Sequence, residues 1–533
     1  MKILTAAEMK QVDLLTTERH GVPSLTLMER AGQSVAGFIV KRFPNFAQRR
    51  IVVLCGKGNN GGDGFVVARH LQEMGAKPVV LLFAAAEDLQ GDAATNRKRW
   101  QDASGALRVI RNSADWKSAS SLVVNAEIIV DALLGTGVRG PVEGLLAEVI
   151  REVNARRPGQ SVVAVDIPSG LPADTGEIPG PAVQANCTVT FTAPKAGMFL
   201  GQASNFVGDL SVSDIGSPPA LVEEIGKGNL RWSESREFAQ FALPRKADAN
   251  KGNYGHALIV AGSVGKSGAA VLASWAALRA GAGLVTVATP ADVLPIIAAH
   301  TPEIMTEPLA STSAGTISLR GLEQGRFDAL LKGKRALAMG PGLSTQDETQ
   351  KFVRTVVDQR SSVPLILDAD GLNAFAGRAA DMRKDPSPPR APLALTPHPG
   401  EMARLVGGTA QDVQARRLDL ALKSAAEWNA YVILKGHHTI VAAPSDQAFI
   451  NSSGNPGMGT GGTGDVLTGM LAGLTAQFGA DDWARALAFG VYLHGLAGDI
   501  AYADFAEAPL MASDLIRAIP RAYQQFYSEC GRA

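Results

Sequence analysis

Four places in this chain of 533 residues gather groups at spacings that chemistry can use. Residues 51–64 read IVVLCGKGNNGGDG, an apolar run followed by G-x-G-x-x-G at Gly56, Gly58 and Gly61. Such a turn lets backbone amides approach a pyrophosphate at a helix start. Two features fit that use poorly. Asn59 and Asn60 stand where the closest approach is needed, and Asp63 puts a carboxylate where a phosphate wants donors. Asp131 closes the run IIVD before ALLGTGVRG, and Asp166 closes VVAVD and is followed by Ser169. These carboxylate, amide and hydroxyl oxygens are hard donors, suited to Mg²⁺, Ca²⁺ or an alkali cation rather than zinc or copper. Either aspartate alone is equally well explained as a cap at a strand end. Together with the glycine loop and the second flexible cradle GTGVRG at 135–140, they favour a site.

The fourth place is NSSGNPGMGTGGTGDVLTGMLAGL, residues 451–474. GGTGD precedes an apolar helical run, which puts Gly462, Thr463 and Gly464 at a helix N-terminus with Asp465 beside them. An anion hole of amides next to a carboxylate suits phosphoryl transfer: the amides take up charge on the phosphoryl oxygens while the carboxylate removes a hydroxyl proton. A structural glycine turn would not need the aspartate. Upstream, YVILKGHHTIVAA reads as strand, turn, strand, with Lys435 either facing phosphates or simply solvated. The segments MGPGL (339–343), LDADGLNA (367–374) and TPHPGEM (396–402) are further candidates; His398, between two prolines, is as readily a rigid turn residue as a ligand contact. AGSVGKSG (261–268) lacks the P-loop spacing and is not read as one.

These residues need rigid elements to hold them. Short β-branched runs alternate with amphipathic stretches, the pattern of α/β layers around a mainly parallel sheet. In the first series the strands are expected at 51–54, 79–83, 128–131 and 162–166; in the second, at 257–261, 284–288, 336–340, 364–368 and 431–435. The helix after the opening loop should carry Val67, Leu71 and Met74 on one face and stop at Gly75. From Asp214 to Lys251 the pattern loosens, so a linker is placed at 216–235, between domains at 1–215 and 236–533.

Composition bounds the partners. Lysine plus arginine equals aspartate plus glutamate at 51 each, so no net field points to nucleic acid or an anionic membrane. The three cysteines are far apart, the N-terminus turns polar too soon for a signal peptide, and no apolar stretch reaches membrane-spanning length. A cytoplasmic protein is expected, with no membrane partner.

In order along the first 215 residues, LTAAEMKQVD, GVPSLTLMERAG, GKGNNGGDG, DALLGTGVRG and VDIPSG resemble the epimerase domain of the NAD(P)H-hydrate repair enzymes. The resemblance implies interconversion of the R and S forms of NADHX and NADPHX, in which water has added to C6 of the nicotinamide ring. It implies potassium held by Asn60, Asp131 and Ser169, and Asp166 as acid/base. Substrate would be bound by the loops Asn59, Asn60, Gly61, Gly62, Asp63 and Gly135, Thr136, Gly137, Val138, Arg139, Gly140, Pro141, together with Asp166.

KGNYG, AGSVGKSGAA, GPGL, DADGLN, TPHPGE, KGHHT and GGTGD resemble the dehydratase domain of the same family, which is similar in fold to ribokinase. The implied fold is α/β with two domains: an N-terminal Rossmann-like three-layer α/β domain and a C-terminal ribokinase-like α/β domain. The implied roles are Asp465 as base, Ala270, Gly342, His398 and Asp465 at the substrate, and Lys435, Gly436, His437, His438, Thr439 and Gly464 at the nucleotide, which is ADP as co-substrate with Mg²⁺. A homo-oligomer is expected. The alternative is a ribokinase-type small-molecule kinase fused to a nucleotide-binding or scaffolding domain.

Overall fold

Strands such as Ile51–Cys55 and Ile128–Ala132 are buried along their whole length, as parallel strands covered on both faces must be. In the computed structural model, which describes residues 1–359, 363–383, 391–479 and 482–532, the chain divides into two compact units, Met1–Gly228 and Asn229–Ala533.

The first unit holds an all-parallel, seven-stranded sheet. Its order is Ala106–Val109, Val79–Leu82, Ile51–Cys55, Ile128–Ala132, Ser161–Val165, Cys187–Phe191 and Asp209–Ser213. The chain winds outward in one direction from Ile51–Cys55 and then returns to wind in the other. The order therefore reverses between Ile51–Cys55 and Ile128–Ala132, where such folds open a crevice at the strands' carboxyl ends. Separate apolar clusters cover the two faces, one including Val53, Phe65 and Trp100 and the other Val52, Trp116 and Ile150.

At the reversal the opening glycines have a packing reason. A methyl carbon on Gly56 would lie 1.9 Å from the Leu133 carbonyl oxygen, and one on Gly61 would lie 1.9 Å from that of Gly56. Gly61→Ala is accordingly expected to destabilise the first unit by roughly 1–3 kcal/mol, seen as an earlier thermal transition for that unit with the other unchanged.

The second unit is built on a ten-stranded sheet. Its order is Met305–Leu309, Leu284–Pro290, His256–Val260, Ala336–Met339, Leu365–Leu367, Leu393–Leu395, Tyr431–Leu434, Ile440–Ala442, Ala448–Ile450 and Leu230–Trp232. Two pairings are antiparallel, Tyr431–Leu434 with Ile440–Ala442 and Ile440–Ala442 with Ala448–Ile450. The helices Ser267–Arg279 and Thr463–Phe478 pack backbone to backbone. Methyl carbons at Gly469 and Gly473 would lie 2.0 and 2.4 Å from the carbonyl oxygens of Ala273 and Ala277. That close packing fixes where the second helix begins, and hence where Asp465 stands.

Three expectations are corrected. The stretch 216–235 is not a bare linker: it holds the helix Pro219–Ile225, which buries Leu221, Val222 and Ile225, and the strand Leu230–Trp232 at the edge of the second sheet. Met74 is 43% exposed, because the helix ends at Glu73 and Gly75 turns the chain with φ +95°. Residues 59–63 are no loop; they are the first turn of the helix Asn59–Glu73, capped at Gly58.

Candidate functional site

Each unit gathers polar side chains at the carboxyl ends of its own strands. In the first, Asp131 is fully buried at the end of Ile128–Ala132. Its Oδ2 accepts from the Ser169 amide at 2.8 Å, and its Oδ1 accepts from Ser169 Oγ at 2.6 Å and the Leu133 amide at 3.3 Å. The Leu134 carbonyl takes the Asn60 Nδ2 hydrogen bond at 2.9 Å, while the Leu134 amide donates to Ser169 Oγ at 2.9 Å. Asn60, Asp131 and Ser169 are thus joined through Leu134. Burial pushes the Asp131 carboxyl up to about 6, against the pull of the Ser169 hydroxyl and amide.

Asp166 follows the strand Ser161–Val165 with φ +65°, a conformation that a non-glycine residue holds only at a cost of order 1–3 kcal/mol. Its carboxylate pairs with Lys195 through Oδ1; the same oxygen accepts from Thr190 Oγ1 at 3.1 Å and the Phe191 amide at 3.2 Å. Lys195 is fully buried, and its ammonium also donates to Thr190 Oγ1 at 2.8 Å and the Phe191 carbonyl at 3.2 Å. Nothing in the stretch APKAG marks Lys195 by periodicity or spacing, so its part emerges only in three dimensions.

The loop at 135–141 lies near the first of these groups: a methyl carbon at Gly135 would sit 3.4 Å from Asn60 Cβ. Gly137 and Gly140 have open space around them, and Thr136, Val138, Arg139 and Pro141 make no described side-chain hydrogen bond.

In the second unit, Asp465 stands in the first turn of Thr463–Phe478, whose cap Gly462 has φ +94°. The leading amides of a helix lack partners within it, which leaves donors facing outward. His494, buried, donates Nε2–H to the Thr463 carbonyl at 3.0 Å and braces that turn. Burial, and then the charges of Asp368, Asp370 and Glu401, push the Asp465 carboxyl up to about 7, with Lys435 opposing.

Lys435, at the end of Tyr431–Leu434, donates to Asp368 Oδ1 at 2.9 Å and lies 3.7 Å from Glu401 Oε2. Burial works against its charge, but the two carboxylates outweigh it and hold its pKa above the usual lysine value. Gly464 belongs to the same cluster, since a methyl carbon there would sit 3.3 Å from Lys435 Nζ. Asp368 is buried and takes a second hydrogen bond from Thr468 Oγ1 at 2.7 Å. Asp368 and Glu401 fall inside DADGLN and TPHPGE, but charge-bearing spacing within those segments did not single them out.

Ala270 is fully buried in the second unit's core. His398 caps the helix Pro399–Val406, its Nδ1 accepting from the Gly400 and Glu401 amides at 3.0 and 3.3 Å. Gly342 has φ +63°, and its carbonyl accepts from Ser263 Oγ at 2.7 Å.

The turn after Lys435 is exposed at Gly436 and His437, while Thr439 Oγ1 donates to the Gly436 carbonyl at 3.0 Å. His438 turns inward, where its Nδ1–H meets the Asn451 carbonyl at 2.9 Å and its ring packs on Trp232. Beneath the turn lies Arg417, a buried guanidinium that donates to the carbonyls of Leu434, at 3.1 Å, and His437. It was invisible in sequence because nothing around it shows periodic or motif spacing.

Two family models match the chain: the YjeF-related protein N-terminus over residues 24–197 and NAD(P)H-hydrate dehydratase over 257–521. The bifunctional NAD(P)H-hydrate repair enzyme of Moorella thermoacetica is 44% identical, over 99% of this chain and 98% of its own. The chain belongs to the bifunctional NAD(P)H-hydrate repair enzyme family. The family member from Thermofilum pendens is 41% identical over 98% of this chain and 96% of its own length. Among solved structures, an ADP/ATP-dependent NAD(P)H-hydrate dehydratase from Bacillus subtilis, co-crystallised with ATP and Mg²⁺, is 33% identical with a TM-score of 0.47, covering 56% of this chain and 99% of that one. Repair-enzyme membership thus extends over both units, and each unit has its own constellation of buried charge. Among the described residues, no helix is long and apolar enough to cross a membrane.

Proposed function

We propose that this chain repairs hydrated NADH and NADPH in two steps: the first unit interconverts R- and S-NAD(P)HX, and the second dehydrates the S form with ADP, releasing NAD(P)H, AMP and phosphate. The observation that carries the reading is that each unit of a chain aligned with its relatives over nearly its whole length holds a carboxylate, Asp166 or Asp465, in a cluster of charged side chains. A ribokinase-type kinase would leave the first cluster without a task.

The second unit's chemistry follows from its groups. Hydroxide is a poor leaving group. Asp465 takes the C6 hydroxyl proton while that oxygen attacks the β-phosphorus of ADP, AMP departs, and the amides of the helix start receive charge on the phosphoryl oxygens. Loss of the C5 proton then expels phosphate and restores the ring double bond. Lys435, Gly436, His437, His438, Thr439 and Gly464 would hold the nucleotide, and Gly342 and His398 the substrate. Mg²⁺ would enter with the nucleotide and offset its charge. Supplying S-NADHX with ADP tests this reading: NADH, AMP and phosphate should appear in equal amounts, and ADP consumption without NADH would overturn it.

In the first unit, Asn59, Asn60, Gly61, Gly62 and Asp63, with residues 135–141, would hold the hydrated dinucleotide beside Asp166. Potassium fits Asn60, Asp131 and Ser169 because Asp131 is a buried carboxylate with no cationic partner among the described residues, and the Ser169 hydroxyl and the Leu134 carbonyl to which Asn60 donates add hard oxygen atoms beside it. Bound there, the ion would neutralise Asp131 and tie three strand-end loops together. Potassium chloride should raise the first unit's unfolding temperature by about 2–4 °C over sodium chloride, and Asp131→Asn should remove that difference. An equal response in the variant would refute the ion site. The even charge balance and the absence of a spanning helix among the described residues support a cytoplasmic enzyme.

A further inference from the structure

The first unit holds more carboxylates around Lys195 than one ammonium can balance. Asp166 takes Lys195 directly. Asp13, from the helix Ala6–His20, is brought alongside because Leu4 pairs with the Pro194–Ala196 segment: the Leu4 amide donates to the Pro194 carbonyl at 2.9 Å and the Ala196 amide to that of Leu4 at 2.9 Å. Its Oδ1 is buried without a hydrogen-bond partner, and its carboxyl, pushed up by burial to about 6, interacts with Lys195 and Asp166. Asp63 comes from the helix Asn59–Glu73, is 8% exposed, and makes no described side-chain hydrogen bond. It interacts with Asp166, Asp13 and Lys195. Three carboxylates facing one ammonium would leave two negative charges in a largely buried space, a situation in which a carboxyl group keeps its proton. Asp166 has three donors and Asp63 has none. Burial first, then Asp166 and Asp13, hold the Asp63 carboxyl well above the usual range.

We propose that Asp63 is a second acid/base group of the epimerase site, the proton donor to the C6 hydroxyl of the hydrated ring, with Asp166 as the acceptor. This rests on the epimerase reading above. Protonated Asp63 donates to the C6 oxygen as the C6–O bond breaks, and its electrons leave with water. The ring nitrogen's lone pair forms the N1–C6 double bond. A water then adds to the opposite face of C6, giving its proton to the Asp166 carboxylate, and the π electrons return to nitrogen. Atoms and charge balance, and the two aspartates have exchanged protonation states, so the reverse reaction runs with their roles exchanged.

The test uses the full chain without ADP, following S-to-R conversion of NADHX by chromatography. Asp63→Asn is expected to lower kcat about a hundredfold or more with KM within about threefold of wild type. Asp63→Glu should recover part of the rate, with one limb of the kcat pH profile displaced; the groups facing position 63 that shape this profile are Asp13, Asp166, Lys195 and the Cys55 thiol. In ¹⁸O-water each newly formed R molecule should carry label. A kcat near wild type for Asp63→Asn, a loss confined to KM, an unshifted profile for Asp63→Glu, or unlabelled product overturns the proposal. A wild-type chain that fails to interconvert the forms refutes the epimerase reading itself, and is thereby told apart from failure of this role alone.

Discussion

Asp465→Asn is expected to abolish ADP-dependent formation of NADH from S-NADHX, by roughly a hundred- to ten-thousandfold, while R/S interconversion proceeds at the wild-type rate. The asparagine is nearly isosteric and keeps the helix start that Gly462 and His494 hold in place. What disappears is the base. The expected pH dependence has a definite sign: the carboxyl, raised to about 7, must be ionised to accept the hydroxyl proton, so the wild-type dehydration rate should fall as pH drops through about 7. A normal rate held down to pH 5 would show that another group takes the proton.

Asp166→Asn should give the mirror result. Interconversion of the R and S forms should fall by roughly the same factor, and S-NADHX should still be dehydrated normally. The substitution also removes the carboxylate hydrogen-bonded to Lys195, a fully buried ammonium that keeps Thr190 Oγ1, the Phe191 carbonyl and the nearby carboxyl groups of Asp13 and Asp63. Equal loss of both activities would contradict separate sites.

How much of this was legible in sequence depends on how local each feature is. The central parallel strands announced themselves as short aliphatic runs because both of their faces are covered. Asp131, Asp166 and Asp465 were legible because each follows such a run or opens a helix. Strands such as Ala106–Val109, with half of its residues exposed, and the three-residue Leu393–Leu395 carried too little pattern to be seen. Residues 216–235 misled because Pro and Gly there punctuate short elements rather than mark a flexible tether. The partners Lys195, Asp13, Asp368 and Arg417 are determined by contacts between segments far apart in the chain, such as Asp13 with the region of Lys195, and no local spacing encodes them.

The opening glycine stretch illustrates the same limit. Its spelling suggests a phosphate cradle, yet Gly56 and Gly61 are required by contact with Leu133 and with each other. The helix they start carries Asn60 toward Leu134 and Asp63 into the carboxylate cluster. The motif thus builds a packed corner from which polar side chains project.

The most direct test of the two-step account is the recovery of NADH from an equilibrated mixture of R- and S-NADHX supplied with ADP and the full chain, followed by absorbance of the reduced nicotinamide. The account predicts complete recovery, because the first unit keeps feeding the S form to the second. Recovery that stops when the initial S form is spent would contradict the epimerase, and no recovery at all would contradict the dehydratase.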